Sequence, residues 1–191
     1  MRTRDKLLSI VICVALVVSI SSILLLNDPG RPRSPSFPMD SAERLSVDQL
    51  AVKDADGIIL PTWMPGKLQL REVYFAGSAM LVYSAEDVKD YRDDDVSIAI
   101  SKTEYTPTEE QLKQTSGELL EINGITVDFF ENPAPGPDHI ERGIKPIKAY
   151  FYHNGFRYAI TGDKAKVTRA DMLKIIESMT PIGTETLRKA N

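Results

Sequence analysis

The sequence predicts an α+β protein, an antiparallel β meander of about six to seven strands with a C-terminal helix packed on one face. An N-terminal transmembrane helix precedes this domain. Three observations lead to this prediction: an uncharged apolar run near the start of the chain, several segments in which apolar and polar residues alternate, and a final segment with apolar residues at helical spacing.

The first apolar run, residues 7–26, reads LLSIVICVALVVSISSILLL and contains no charged residue. As a helix it spans about 30 Å, the thickness of the hydrocarbon core of a bilayer. Arg2, Arg4 and Lys6 precede it, and basic residues before a first segment favour a cytoplasmic N-terminus. We therefore predict a cytoplasmic basic flank at 1–6 and a single-pass signal-anchor at 7–26 in the cytoplasmic membrane. The C-terminal domain is then outside the cytoplasm.

A cleaved signal peptide is the main alternative, because Ser19 and Ser21 have the small side chains that a cleavage site requires. Cleavage there would leave the apolar residues 23–26 near the new N-terminus, so the uncleaved anchor is preferred. A lipoprotein is rejected because Cys13 follows the bulky Ile12 inside the apolar run. Cys13 is the only cysteine, so the folded part is expected to have no disulfide.

Residues 27–45 are predicted to be a proline-rich tether. Their prolines recur at every third position, at Pro29, Pro32, Pro35 and Pro38. This spacing is typical of an extended polyproline-like spacer, which is stiffer than a glycine-rich linker. The folded domain is predicted at 46–181, and a flexible tail at 182–191.

The domain is predicted to open with a short helix at 46–55, because Ser46 and Gln49 form a capping-box pattern. Apolar and polar residues then alternate in segments that predict strands near 68–70, 80–82, 96–101, 118–122, 125–131, 147–151 and 156–160. Asn123-Gly124 and Asn154-Gly155 predict hairpin turns between neighbouring strands. Short turns between sequential strands indicate a meander with one buried face.

A final helix is predicted at 168–179, where Thr168 and Asp171 form a second capping pair. Its apolar stripe consists of Met172, Ile175, Ile176 and Met179, at the spacing of a helix that faces a core. Pro181 is expected to end it. We expect this helix to pack on the apolar face of the sheet.

The order of these segments resembles the domain of unknown function 4367 family over residues 60–181. LPTWMPGKL at 60–68 resembles the opening of that family, and LVYS, VSIAIS, INGI and YAITG resemble its later strands. Residues 175–179 resemble its closing helix. The chain departs from the family in having Gly66 directly after Pro65 and an insert at 86–95. The resemblance implies a prokaryotic domain outside the cytoplasmic membrane, and it supplies no catalytic residues.

The acidic insert contains the densest charge in the chain, with carboxylates at Glu86, Asp87, Asp90, Asp93, Asp94 and Asp95. Clustered carboxylates can bind calcium, but this spacing fits no known calcium loop. We interpret the insert as a solvated hairpin whose consecutive charges point into water, so that asparagine at 93–95 should leave the fold intact. Residues 132–137, NPAPGP, predict a rigid loop that is either a contact surface or a long connection.

Composition excludes several functions. The formal net charge is −4, which argues against nucleic acid as a partner, and the two histidines are too few for most histidine-based metal sites. The nucleophile elbow of serine hydrolases, the zinc-protease helix and phosphate-binding loops are all absent from the sequence. We predict no catalytic residue, no metal site and no cofactor. Trp63 is the candidate ligand-binding residue, because its ring can stack on a sugar or peptide; packing over the sheet edge is the alternative.

The sequence therefore predicts a membrane-anchored extracytoplasmic binding or regulatory module that is not an enzyme. Its expected partners are the membrane, through the N-terminal helix, and an envelope protein or peptide. The alternatives are an unrecognised envelope hydrolase and a calcium-binding module.

Overall fold

A computed structural model describes residues 41–46, 48–50, 57–88 and 94–182 of the chain. The predicted anchor at 7–26, residues 27–40 of the tether and residues 183–191 of the tail lie outside the described residues. Among the helices that the structure does describe, none is long and apolar enough to cross a bilayer.

The described part of the chain forms ten strands and three labelled helices. The strands are β1 Glu43–Leu45, β2 Ile59–Pro61, β3 Gln69–Phe75, β4 Ser78–Ser84, β5 Val96–Lys102, β6 Glu118–Ile122, β7 Ile125–Phe130, β8 Pro146–His153, β9 Phe156–Asp163 and β10 Met179–Pro181. The helices are α1 Glu109–Leu112, α2 Pro137–Glu141 and α3 Arg169–Glu177. A helical turn at 48–50 follows the Ser46–Gln49 capping box, in which both predicted hydrogen bonds are present.

The prediction of an α+β fold built on an antiparallel sheet is confirmed. The prediction that all strands lie side by side in the order of the chain is wrong. The main sheet has eight strands in the order β1-β3-β4-β5-β9-β8-β7-β6. Seven of these strands form two meanders, β3-β4-β5 and β6-β7-β8-β9, which join where β5 pairs antiparallel with β9. The eighth, β1, pairs with β3 at the edge. Residues 103–117 connect β5 to β6, contain α1 and carry the chain across the sheet. The β5–β9 pairing therefore joins distant parts of the chain, and no local sequence pattern encodes it.

Both predicted hairpin turns are confirmed. β6 and β7 are joined at Asn123 and Gly124, whose φ angles are 51° and 78°. β8 and β9 are joined at Asn154 and Gly155, with φ angles of 48° and 78°. Two successive positive φ values are typical of a type I′ turn, which matches the twist of the strands that it joins.

The core lies on one face of the main sheet, as the alternation predicts. Val96, Ile98 and Ile100 of β5 are at most 2% exposed, and they lie opposite Gly162, Ile160 and Tyr158 of β9. Helix α3 covers this face through Met172, Ile175 and Ile176, which are also at most 2% exposed. The Thr168–Asp171 capping box begins α3 with hydrogen bonds of 2.9 and 3.2 Å.

Three short strands were not predicted. β1 takes residues 43–45 out of the predicted tether and pairs them with β3, and Leu45 joins the core. The final helix ends at Glu177 and not at Met179, because residues 179–181 form β10 and pair with β2. Ile182, placed in the flexible tail by the sequence, donates its N–H to the Ile58 carbonyl at 3.0 Å.

Candidate functional site

The second face of the main sheet carries polar and small side chains at its centre. Because side chains alternate along a strand, the neighbours of the core residues point to this face. β5 contributes Ser97, Ala99 and Ser101, and β9 contributes Arg157, Ala159 and Thr161 opposite them. All six are partly exposed. This face is therefore accessible to solvent, whereas α3 covers the opposite face.

Helix α2 and the loop before it form a pocket with this face. The predicted rigid loop, residues 132–137, leads into α2, which begins with Pro137 at its first position. The pocket, hereafter the α2 pocket, has a volume of about 190 Å³. Its sheet side consists of Met80, Asp94, Ser97 and Thr161, and its helix side of Gly136, Pro137, Asp138, His139 and Arg142.

An ion pair closes one end of the α2 pocket. The Arg142 guanidinium lies 3.3 Å from the Asp94 carboxylate, whose side chain is 17% exposed. Ser97 also donates a hydrogen bond to this carboxylate. Burial raises the pKa of Asp94, although the Ser97 hydrogen bond and the Arg142 charge oppose that rise. Asp94 therefore anchors the segment after α2 to the start of β5.

The interpretation of the acidic insert as a uniformly solvated hairpin is wrong for its last two carboxylates. Asp95 is 14% exposed on its side chain and accepts hydrogen bonds from Ser84 Oγ at 3.1 Å and Ala85 N–H at 2.9 Å. Asp94 is held by Arg142. Glu86 and Asp87 are exposed as predicted, and the Asp87 side chain is 97% exposed. Asp94 and Asp95 differ because the approach of β4, β5 and α2 encloses the end of the insert. Asp90 and Asp93 lie outside the described residues.

His139 contributes a neutral imidazole to the α2 pocket. Its Nδ1 accepts the Gly136 N–H at 3.3 Å, so the ring proton is assigned to Nε2. Burial lowers the pKa of His139 most, and the positive charge of Lys148 lowers it further. Asp94 opposes this lowering, and the effects of Arg142 (which lowers the pKa) and Asp138 (which raises it) are smaller still. The ring is therefore an N–H donor towards any group in the pocket at neutral pH.

Lys148 lies beside the α2 pocket on β8, directly opposite Thr161 of β9. It is partly buried, and burial lowers its pKa. Because Lys148 and Thr161 are paired, their side chains lie on the same face of the sheet, and the positive charge of Lys148 lowers the pKa of His139. Within the described residues, the Lys148 side chain has no hydrogen bond and no ion pair. Sequence reasoning missed it, because an alternating strand gives no sign of which polar residue is left unpaired.

Aromatic side chains border this face beyond Lys148. Tyr150 follows on β8 and packs edge-on against Phe130 of β7, with ring centroids 5.7 Å apart. The Arg157 guanidinium lies 5.3 Å from the Tyr150 ring centroid. Next to them, the buried carboxylate of Asp128 accepts a hydrogen bond from Thr115 Oγ1 at 3.0 Å. Burial raises the pKa of Asp128.

Trp63, the candidate ligand-binding residue, is not among the residues that line the α2 pocket. It is partly buried and packs against the core near β2. The Lys174 ammonium of α3 lies 4.1 Å from its ring centroid, and Ser178 binds its backbone. A cation thus already lies over one face of the ring, and the role of Trp63 in binding a ligand stays a prediction.

Among the described residues, no group of three or more histidine, cysteine or acidic side chains is arranged to hold a metal ion. The acidic insert places Asp94 and Asp95 against different partners, Arg142 and Lys166. Each carboxylate is thus already neutralised by a cation of the protein.

Comparison with protein-family models, with curated proteins and with solved structures gave no match.

Proposed function

We propose that this chain is a membrane-anchored, extracytoplasmic binding or regulatory module without catalytic activity, akin to the domain of unknown function 4367 family. Its ligand is an envelope protein or peptide, and the α2 pocket receives one group of that ligand. The observation that carries this proposal is a pocket on the accessible face of the sheet, at which hydrogen-bond donors have no acceptor among the described residues. The apolar run at 7–26 supports the anchor.

The size of the pocket supports a ligand that lies mostly outside it. Pockets for whole drug-sized molecules usually measure about 300–1,000 Å³, whereas the α2 pocket has about 190 Å³. That volume suits a single side chain or terminal group. Ile140 on α2 lies in the chain between the pocket residues His139 and Arg142, and at 66% exposed it offers an apolar contact to the rest of the ligand.

An envelope hydrolase is the alternative. Acyl transfer by a serine would need a histidine in hydrogen-bond reach of the hydroxyl. Ser97 instead donates to Asp94, and the Nδ1 of His139 accepts from Gly136. These separate contacts favour a binding role for both side chains.

Photocrosslinking of the full-length protein in intact cells tests the binding role. A photoreactive phenylalanine analogue would replace Ile140, whose exposure makes the replacement tolerable. The matched control carries the analogue at Ala170, which is exposed on α3, on the opposite face of the sheet. We expect a discrete heavier species from position 140 alone. Equal species from both positions, or none from position 140, would contradict the proposal.

Carbonate extraction and protease shaving of intact cells test the anchor and its orientation. The full-length chain should stay in the membrane fraction after carbonate and should be degraded from outside. Release of a shortened soluble form that begins near Ser22 would support a cleaved signal peptide instead. Hydrolysis of isolated envelope material by the purified protein would favour the enzyme.

A further inference from the structure

We propose that the group bound in the α2 pocket is a carboxylate, and that the Lys148 ammonium is its counterion. This inference rests on the proposed binding function and names the chemistry of its ligand.

Three donors around the pocket have no acceptor within the described residues: the Lys148 ammonium, the Thr161 hydroxyl and the His139 Nε2–H. Lys148 and Thr161 are directly opposed across β8 and β9, which places their Cβ atoms about 5 Å apart on one face. Thr161 and His139 both line the pocket. A carboxylate offers two oxygens and about four acceptor positions, so it can accept from all three at once.

Charge selects a group with one negative charge. Arg142 and Asp94 neutralise each other as an ion pair, and the His139 ring is neutral. Asp138 is exposed at the rim, where water screens its charge. Among the residues that the structure describes here, the Lys148 ammonium is left as a single uncompensated positive charge. A carbonyl ligand would leave that charge unpaired, and a phosphate with about two negative charges would require a second free cation.

A direct binding measurement tests this inference. The full chain in lipid nanodiscs would be titrated with N-acetyl-dialanine, and binding followed by saturation-transfer NMR on the ligand methyl groups. The C-terminal amide of the same peptide removes only the carboxylate. A peptide amide with an internal glutamate tests whether a side-chain carboxylate can replace the terminal one, and inorganic phosphate tests a doubly charged anion.

We expect at least one carboxylate peptide to bind, and the dialanine amide and phosphate to bind at least tenfold more weakly. Lys148→Met should weaken carboxylate binding about tenfold, the usual worth of a charge-assisted hydrogen bond. The matched control is Lys145→Met, which removes an exposed lysine just before β8 and should bind as the wild type does. Thr161→Val keeps the side-chain shape and should weaken binding by a smaller factor, so it decides the question if Lys148→Met does not fold.

Equal binding of the peptide and its amide would overturn the inference, as would wild-type affinity in both Lys148→Met and Thr161→Val. Failure of every carboxylate to bind, together with a retained crosslink at position 140, would overturn the carboxylate alone and leave the proposed function standing. Loss of that crosslink would overturn the proposed function itself.

Discussion

Replacing Asp95 with alanine should destabilise the domain, although Asp95 belongs to an acidic run that the sequence predicts to be solvated. Its Oδ2 accepts hydrogen bonds from Ser84 Oγ at 3.1 Å and from Ala85 N–H at 2.9 Å. These bonds join the end of β4 to the start of β5. Ser84 is 4% exposed, so its hydroxyl cannot turn freely to water once the acceptor is gone.

The expected loss follows from those two bonds. A hydrogen bond contributes about 1 kcal/mol of net stability, so removing both should cost about 2 kcal/mol. The Lys166 ammonium, 3.6 Å from Asp95, is 57% exposed and adds little to this figure. For a domain of this size, the change corresponds to a fall in Tm of about 7 °C.

Thermal melts of the full-length protein in nanodiscs measure this change. The Tm of Asp95→Asn should fall by less than half as much as that of Asp95→Ala, because an amide oxygen can still accept both hydrogen bonds. Asp87→Ala is the matched control, since its side chain is 97% exposed, and its Tm should move by no more than about 2 °C. The reasoning is refuted if alanine at 95 melts within that same margin, or if both alanine variants fall equally.

Three further predictions concern the two faces of the sheet. Gly117→Ala should cost about 1–3 kcal/mol in urea denaturation, because a Cβ there would overlap the Asp128 carboxylate. The raised pKa of Asp128 makes its contribution to stability complete below the unfolded pKa and lost as the pH rises through the folded pKa. Asp128→Asn should thus be more stable than wild type at pH 7, and this advantage should vanish below about pH 4. Ile176→Ala should cost about 2–5 kcal/mol in the same denaturation assay, since Ile176 is 2% exposed under α3.

Each of these predictions has a control on the same elements or a result that contradicts it. Gly136→Ala should be tolerated, because its φ of −73° is ordinary and the nearest atom to an added Cβ is 3.7 Å away. If the difference in free energy of unfolding between Asp128→Asn and wild type does not change with pH, burial of the charged carboxylate is not its cause. Glu177→Ala, at an exposed position on α3, should retain the wild-type midpoint. A loss below about 0.5 kcal/mol in Ile176→Ala would mean that α3 is not docked.

Much of the fold could be predicted because its signals are local. The Asn123-Gly124 turn and the capping box at Thr168 depend on residues within a few positions of one another, and both occur as predicted. The core face of β5 follows from alternation within a single strand. The short strands β1 and β10 were missed because each has three residues, too few to show a period.

The candidate site could not be predicted in the same way. The loop at 132–137 was predicted to be rigid, but its place across the sheet depends on where β7 and β8 lie. Trp63, chosen for its ring, packs against the core under Lys174. No feature of the sequence pointed to Lys148. That its ammonium has no partner among the described residues depends on its neighbours in space and not on its own residue type.

The sequence by itself determined the seven longer strands, their two Asn-Gly turns, the capped start of the final helix and the buried face of these elements, because alternation, turn conformation and capping act over a few residues. It also carries the uncharged run at 7–26 on which the proposed anchor depends. Only the tertiary structure decided that β5 pairs with β9 and that Asp94 and Asp95 are enclosed. It also decided that Thr161 and His139 line one pocket, and that Lys148 lies opposite Thr161 on the next strand. Those contacts join residues that are far apart in the chain. Their free energy depends on which polar and apolar groups become buried next to one another when the chain folds.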